Sequence, residues 1–156
     1  MGADMKIDAG FIRDTCAVLE LAPAHIPAVL RIERESFSDP WSENMFAELL
    51  ASPAARAYVA ESNGGVLGFI MFYNIAPELQ ILNLAVRRCA RNQAVGSRLI
   101  ESVLALDNIS RVTLEVRESN LPAIGLYKKF GFKADGTRKD YYERPREDAV
   151  LMSLEI

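Results

Sequence analysis

The side chains and amides of this chain that could do chemistry come in a fixed order: an anion cradle, then a carboxylate, then a phenol. From Asn83 to Ser97 an apolar strand runs into a turn and a helix start, a junction that aims unpaired main-chain amides at a phosphate. The helix N-terminus adds roughly half a positive charge, so a pyrophosphate could lodge there without a dedicated lysine. Further along, Glu115 interrupts an apolar strand between Leu114 and Val116, and its alternation partners Thr113 and Arg117 make that strand face polar. Tyr127 follows on a helix, shortly before Gly131 and Phe132. A base and an acid beside a phosphate-bearing cofactor would suit proton removal coupled to a departing group. Plainer explanations stand next to each: an ordinary strand-to-helix turn, an ion pair of Glu115 with Arg117 or Arg111, and a core tyrosine.

The elements that must position these residues are legible from hydrophobic period and turn chemistry. Cys16 to Leu21 alternates as a strand, and Ile26, Val29, Leu30 and Phe37 mark an amphipathic helix from Ala24 to about Ser36. Ser42 is a good N-cap for a short helix carrying Met45, Phe46, Leu49 and Leu50, stopped near Pro53. This helix pair is expected across one end of a sheet. Arg56–Glu61 and Val66–Ile75 flank Asn63 and Gly64, which supply positive φ for a hairpin. Leu79–Val86 is nearly continuous in apolar residues, as in a strand covered on both faces. Val95, Leu99, Ile100, Val103 and Leu104 recur at helical spacing, and Arg111–Val116 is the next strand, so a right-handed crossover sets these two strands parallel. Leu121–Phe130 reads as a helix with Pro122 in its first turn and Gly131 as its left-handed cap. Lys133–Tyr141 and Ala149–Glu155 close the sheet as an antiparallel pair. Residues 1–15 show no period and read as a flexible N-terminal extension, leaving 16–156 as one domain.

At 156 residues, 50% hydrophobic and 25% charged, the chain has the size and composition of one globular domain with a proper core. A net charge of −3 argues against a broad nucleic-acid footprint, which needs a clustered basic face. Cys16 and Cys89 have neither zinc spacing nor the makings of a disulfide framework, and suit a reducing cytosol. No run approaches the roughly 18 apolar residues of a membrane span. A cytoplasmic protein without metal, membrane or nucleic-acid partners is therefore expected. His25, the single histidine, is expected on the surface at a helix start.

From Asp39 to Met152 the motifs DPWS, NLAV, RxxAxG, LEVRESN, AIGLYKKFGF, KDYY and REDAVLM resemble the GNAT acetyltransferase superfamily. The LEVRESN block and the tail are most similar to the bacterial enzymes that acetylate the N-terminal alanine of a small-subunit ribosomal protein. The resemblance implies a mixed α/β fold: a mostly antiparallel sheet, a splayed parallel strand pair around a βαβ unit, and helices on both faces. It implies acetyl-CoA as co-substrate, its pyrophosphate on the amides of Asn92, Gln93, Ala94, Val95, Gly96 and Ser97. Backbone of Leu84, Ala85 and Val86 would pair with the pantetheine arm, and Asn120 would contact the cofactor or simply cap its helix. Glu115 becomes the general base and Tyr127 the proton donor to the departing sulfur. Trp41, Asn83, Tyr141 and Tyr142 would border the acceptor, a ribosomal protein met as protein, although Trp41 suits core packing and Asn83 an internally satisfied amide equally. Two other functions stay open: acetylation of a different amine (another protein N-terminus, a polyamine or an aminoglycoside) and a non-catalytic acyl-CoA-binding module. The family pattern has glycine where this chain has Ala94; since alanine resists the left-handed region by roughly 1 kcal/mol or more, residue 94 is expected at negative φ.

Overall fold

The computed structural model describes residues 16–156, so the reading of residues 1–15 lies outside the described residues. Seven strands form one sheet in the order β1-β2-β3-β4-β5-β7-β6. They are β1 (Ala17–Glu20), β2 (Ala55–Ser62), β3 (Gly65–Ile75), β4 (Glu78–Val86), β5 (Arg111–Arg117), β6 (Lys133–Glu143) and β7 (Arg146–Glu155). Every neighbouring pair is antiparallel except β4 and β5, which the crossover helix α3 (Val95–Leu104) joins in parallel. The expected mixed sheet with one parallel pair is what forms.

Local chemistry accounts for most boundaries. Asn63 and Gly64 both take positive φ, 51° and 75°, as a tight hairpin demands. The Ser42 hydroxyl accepts from the Met45 amide at 3.2 Å and starts α2 (Glu43–Leu50). Asn120 caps α4 (Leu121–Lys129) by accepting from Ala123 at 3.3 Å, and Gly131, at φ 95°, follows its end. A single 3₁₀ turn at Pro23–His25 leads into α1 (Ile26–Ser36). His25 stands at the helix start as expected but is half-buried: its ring accepts from the Ala22 amide at 2.9 Å and meets Glu61 at 3.1 Å, because the hairpin end of β2 reaches this helix start.

Two apolar clusters cover the two faces of the sheet. Against α3 and α4 lie Ile70, Phe72, Leu79 and Ile81; against α1 and α2 lie Val59, Phe69, Met71 and Ala85. The helix pair α1–α2 therefore packs on a face of the sheet through Val29, Ile32 and Phe46, rather than across its end, because only a face offers enough apolar surface to bury those side chains.

The irregularity that matters is in β4. Phe72 pairs with Ile81 but Met71 with Asn83, which leaves Leu82 as an extra residue, a bulge. Strand alternation skips a beat there: Leu79 and Ile81 face α3, then Leu84 and Val86 do, while Leu82 and Ala85 face α1. The parallel register with β5 ends at the same place, at Ile81 opposite Leu114. Beyond it β4 is held by β3 alone, to Val86 opposite Gly68. A Cβ on Gly68 would lie 2.8 Å from the Ala85 carbonyl oxygen, so β3 can approach this half of β4 only as glycine. Gly68→Ala should therefore destabilise the protein by roughly 1–3 kcal/mol in urea unfolding, and an unchanged midpoint would show that β4 is not pressed onto β3.

Candidate active site

A cavity of about 500 Å³ opens where β4 and β5 part. Its floor is the last paired residues and the first unpaired ones, Ile81 to Leu84 and Leu114 to Arg117; α4 contributes Asn120 and Tyr127. The loop between α1 and α2 brings Trp41 to one side, and β6 brings Tyr141 and Tyr142 to the other. Of the residues singled out in sequence, Glu115, Tyr127, Asn120, Asn83, Leu84, Trp41, Tyr141 and Tyr142 thus share one cavity. Ala85 turns its side chain into the α1 face, Val86 packs toward α3, and residues 92–97 form the turn and first residues of α3, outside the cavity lining.

That turn corrects one expectation. Ala94 has φ 65° and ψ 14°, the left-handed region, and Asn92 also has φ 61°. Two left-handed residues separated by one give a tight turn into α3, and the geometry of that turn prevails over the steric preference of an alanine. Ala94 offers no side-chain cap to α3, so the amides of Val95, Gly96 and Ser97 have neither helical acceptor nor cap. Gly96 is wedged where a Cβ would meet Leu126 at 3.0 Å, which locks the helix start onto α4.

Glu115 makes neither ion pair considered from the sequence. Arg117 lies 3.2 Å from Glu147 and Arg111 3.2 Å from Glu155. Glu115 instead stands 3.3 Å from Arg138 of β6 and accepts from the Tyr141 hydroxyl, a hydrogen bond that, ahead of burial, holds that phenol above its ordinary pKa. Tyr127 is 5% exposed with its ring 5.5 Å from Phe132. Burial, then the neighbouring Tyr142, pushes its pKa far above that of a free phenol. Burial likewise pushes Tyr142 up to about 12, with Tyr141 next in effect.

Two residues that sequence reasoning missed organise the walls. Arg117 donates to the carbonyls of Pro145 and Arg144 at 2.9 and 3.1 Å and stacks 4.2 Å from the Tyr142 ring centre, strapping the β6–β7 turn over the site. Its partner Glu147 accepts from the Ser119 amide at 2.6 Å; hydrogen bonds from Ser119, then the Arg117 guanidinium, hold that carboxyl below the ordinary range. Glu33, 1% exposed, accepts from the Trp41 amide at 3.0 Å and from Asn83 Nδ2 at 2.6 Å. Burial raises its pKa and those two hydrogen bonds oppose the rise. Its signal was present in the sequence: position 33 falls four residues after Val29 and four before Phe37, on the apolar stripe.

The sequence profile described as the acetyltransferase (GNAT) family matches residues 26–132. The chain belongs to that family. It is 38% identical over 149 residues, 93% of its length and 99% of the other's, to a Bacillus subtilis protein provisionally named [ribosomal protein bS18]-alanine N-acetyltransferase. The enzyme of that name from Escherichia coli K12 is 31% identical over 144 residues, covering 89% of this chain and 97% of its own. The crystal structure of the ribosomal-protein-S18-alanine N-acetyltransferase from Escherichia coli superposes with a TM-score of 0.83 at 31% identity, over 90% of this chain and 94% of that one. This GNAT protein is an acetyl-CoA-dependent N-acetyltransferase. Its structure fits that co-substrate in two places: the uncapped amides at the start of α3, and the β5-facing edge of β4 beyond Ile81, which has no strand partner among the described residues. Among the described residues no group of His, Cys, Asp or Glu could hold a metal ion, and no helix is long and apolar enough to cross a membrane.

The strain at residue 94 is testable. Ala94→Gly should relieve the left-handed alanine and raise stability by about 0.5–1 kcal/mol after the entropy of the freer unfolded chain is deducted. A lower or unchanged midpoint in thermal or urea unfolding would show that the loop is not strained.

Proposed function

We propose that this N-acetyltransferase modifies the α-amine of a protein N-terminus, with the terminal alanine of a ribosomal protein as acceptor. The observation that carries the reading is that Glu115 and Tyr127, a proton acceptor and a hydrogen-bond donor, line one cavity at the point where β4 becomes available to a ligand. The printed activity of the bacterial relatives, which this chain matches along nearly its whole length, supplies the acceptor. Such an acceptor is met in the cytoplasm.

Acetyl-CoA brings an activated acetyl thioester. The amides of Asn92 to Ser97 receive its diphosphate, main chain of Leu84, Ala85 and Val86 holds its pantetheine arm, and Asn120 borders the arm while capping α4. The amine must lose a proton before it can attack, and here an α-amine has the advantage. Its reference pKa is about 7.7 to 8.0 against about 10.4 for lysine, a difference of roughly 2.5 units or about 3.4 kcal/mol. Glu115, on the polar face of β5, accepts that proton through water. Tyr127 donates a hydrogen bond to the sulfur as negative charge develops on it. With its pKa raised by burial, the phenol remains a donor and does not give its proton away outright, so its contribution is electrostatic. Trp41, Asn83, Tyr141 and Tyr142 border the entering peptide.

Thiol release from acetyl-CoA should be fastest with an alanine-starting peptide in a panel that also holds a lysine peptide, spermidine and an aminoglycoside. Preference for one of the latter would transfer the protein to another amine, and binding of acetyl-CoA without turnover would make it an acyl-CoA-binding module. Glu115→Gln should lower kcat by about 100-fold at neutral pH and recover partly in alkaline buffer, where the α-amine deprotonates unaided; an unshifted pH profile would remove Glu115 from this role. Tyr127→Phe should lower kcat by a similar factor at every pH up to about 10, because the raised pKa keeps the native phenol protonated throughout that range. A wild-type rate that falls with a midpoint near 8 and loses that fall in the phenylalanine variant would contradict a permanently neutral tyrosine.

A further inference from the structure

Among the described residues, Glu33 is the only charged side chain in the fully buried set. Taking a carboxylate out of water is costly, and packing does not ask for it: position 33 lies on the α1 stripe whose neighbours Val29 and Ile32 fill the apolar cluster beneath. A leucine or methionine would complete that face. What the carboxylate does instead is hydrogen-bond two segments at once. One oxygen holds the Trp41 amide, at the end of the irregular loop between α1 and α2; the other holds Asn83, the first residue after the bulge in the unpaired half of β4. The bulge at Leu82 makes this contact possible, since regular alternation would have turned residue 83 toward α3. Glu33 also lines the cavity that holds Glu115 and Tyr127.

We propose that Glu33 is a positioning residue of the acetyl transfer, fastening the acceptor-side loop at Trp41 to the cofactor-side strand at Asn83 so that the mouth of the cavity keeps one width. This inference rests on the assignment of that cavity to acetyl transfer made above. The loop is also held by the Ser38 hydroxyl on the Arg144 carbonyl at 3.0 Å, by the Trp41 ring 5.3 Å from Phe46, and by apolar packing of Phe37 and Trp41 on the cluster that includes Ala85, but none of these is a hydrogen bond to β4. Without Glu33 only non-directional apolar packing would relate the cofactor strand to the acceptor loop. The amine would then enter a mouth of variable width, and acceptor binding would suffer before cofactor binding did.

Trp41 is the single tryptophan of the chain, so its fluorescence reports directly on the loop. Two variants separate fastening from charge. Glu33→Met keeps length and bulk and removes both acceptor oxygens. Glu33→Gln can still accept from the Trp41 amide and, once the Asn83 side-chain amide rotates by half a turn, donate to its oxygen. The methionine variant should show stronger acrylamide quenching of Trp41 and an acceptor-peptide KM raised about tenfold, the worth of roughly one hydrogen bond to a charged group, while the calorimetric affinity for acetyl-CoA stays at the native value. The glutamine variant should restore most of both. Native quenching and native KM in the methionine variant would overturn the proposal, and so would a glutamine variant as impaired as the methionine one, since charge and not fastening would then be what matters. Should Glu33→Met not fold, Asn83→Ala removes one of the two fastenings: raised quenching supports the proposal and native quenching overturns it. If the native protein turns over no alanine-starting peptide, the acceptor assignment fails, while the Trp41 readings still decide the role of Glu33.

Discussion

The whole site depends on two parallel strands that stop pairing halfway along. β4 and β5 share only the register from Glu78 opposite Arg111 to Ile81 opposite Leu114, and then each is kept in place by its outer neighbour, β4 by β3 as far as Val86 and β5 by β7 as far as Arg117. Main-chain groups inside a sheet are strong donors and acceptors that cannot be left bare without cost. An open inner edge is therefore suited to a ligand that behaves as a strand, the place proposed above for the extended pantetheine arm of acetyl-CoA. The bulge at Leu82 makes the opening specific: it ends the pairing, bends β4, and rotates Asn83 onto the α1 face, all with one inserted residue.

Around that opening the charged groups are arranged by what each can afford to bury. Glu147 and Arg117, whose side chains are 12% and 18% exposed, form a nearly enclosed pair that also ties down main-chain carbonyls, so the β6–β7 turn is stapled where it overhangs the cavity. Arg138, beside Glu115, is 55% exposed, so that pair stays open to solvent where the Arg117 strap does not. Tyr127 is buried, and that burial keeps its phenol neutral, as the hydrogen-bonding role proposed for it requires.

Much of this was legible beforehand because period and caps carry physical information locally. Ser42 and Asn120 cap the helices they precede, Asn63 and Gly64 turn the hairpin, and Leu79 to Val86 forms the doubly covered strand that the crossover sets parallel to Arg111 to Arg117. The shared cavity of Glu115, Tyr127 and Asn120 was anticipated from motif resemblance, since no periodicity brings those residues together. What escaped was non-local. Ala94 took the left-handed conformation because the turn into α3 overrides the preference of one residue. The partner of Glu115 proved to be Arg138, distant in sequence and brought near by the β6–β7 pairing. Glu33 was passed over because, although its place on the apolar stripe is visible in the sequence, its two partners lie across a loop and across the sheet.

The central claim, that acetyl-CoA completes the sheet at its open edge, is tested most directly by amide hydrogen exchange followed residue by residue with and without acetyl-CoA. Protection should rise at main-chain amides between Leu82 and Val86 and at Val95 to Ser97, and stay constant at Glu78 to Ile81, which β5 already pairs. Protection that rises elsewhere while those two segments exchange as before would contradict it.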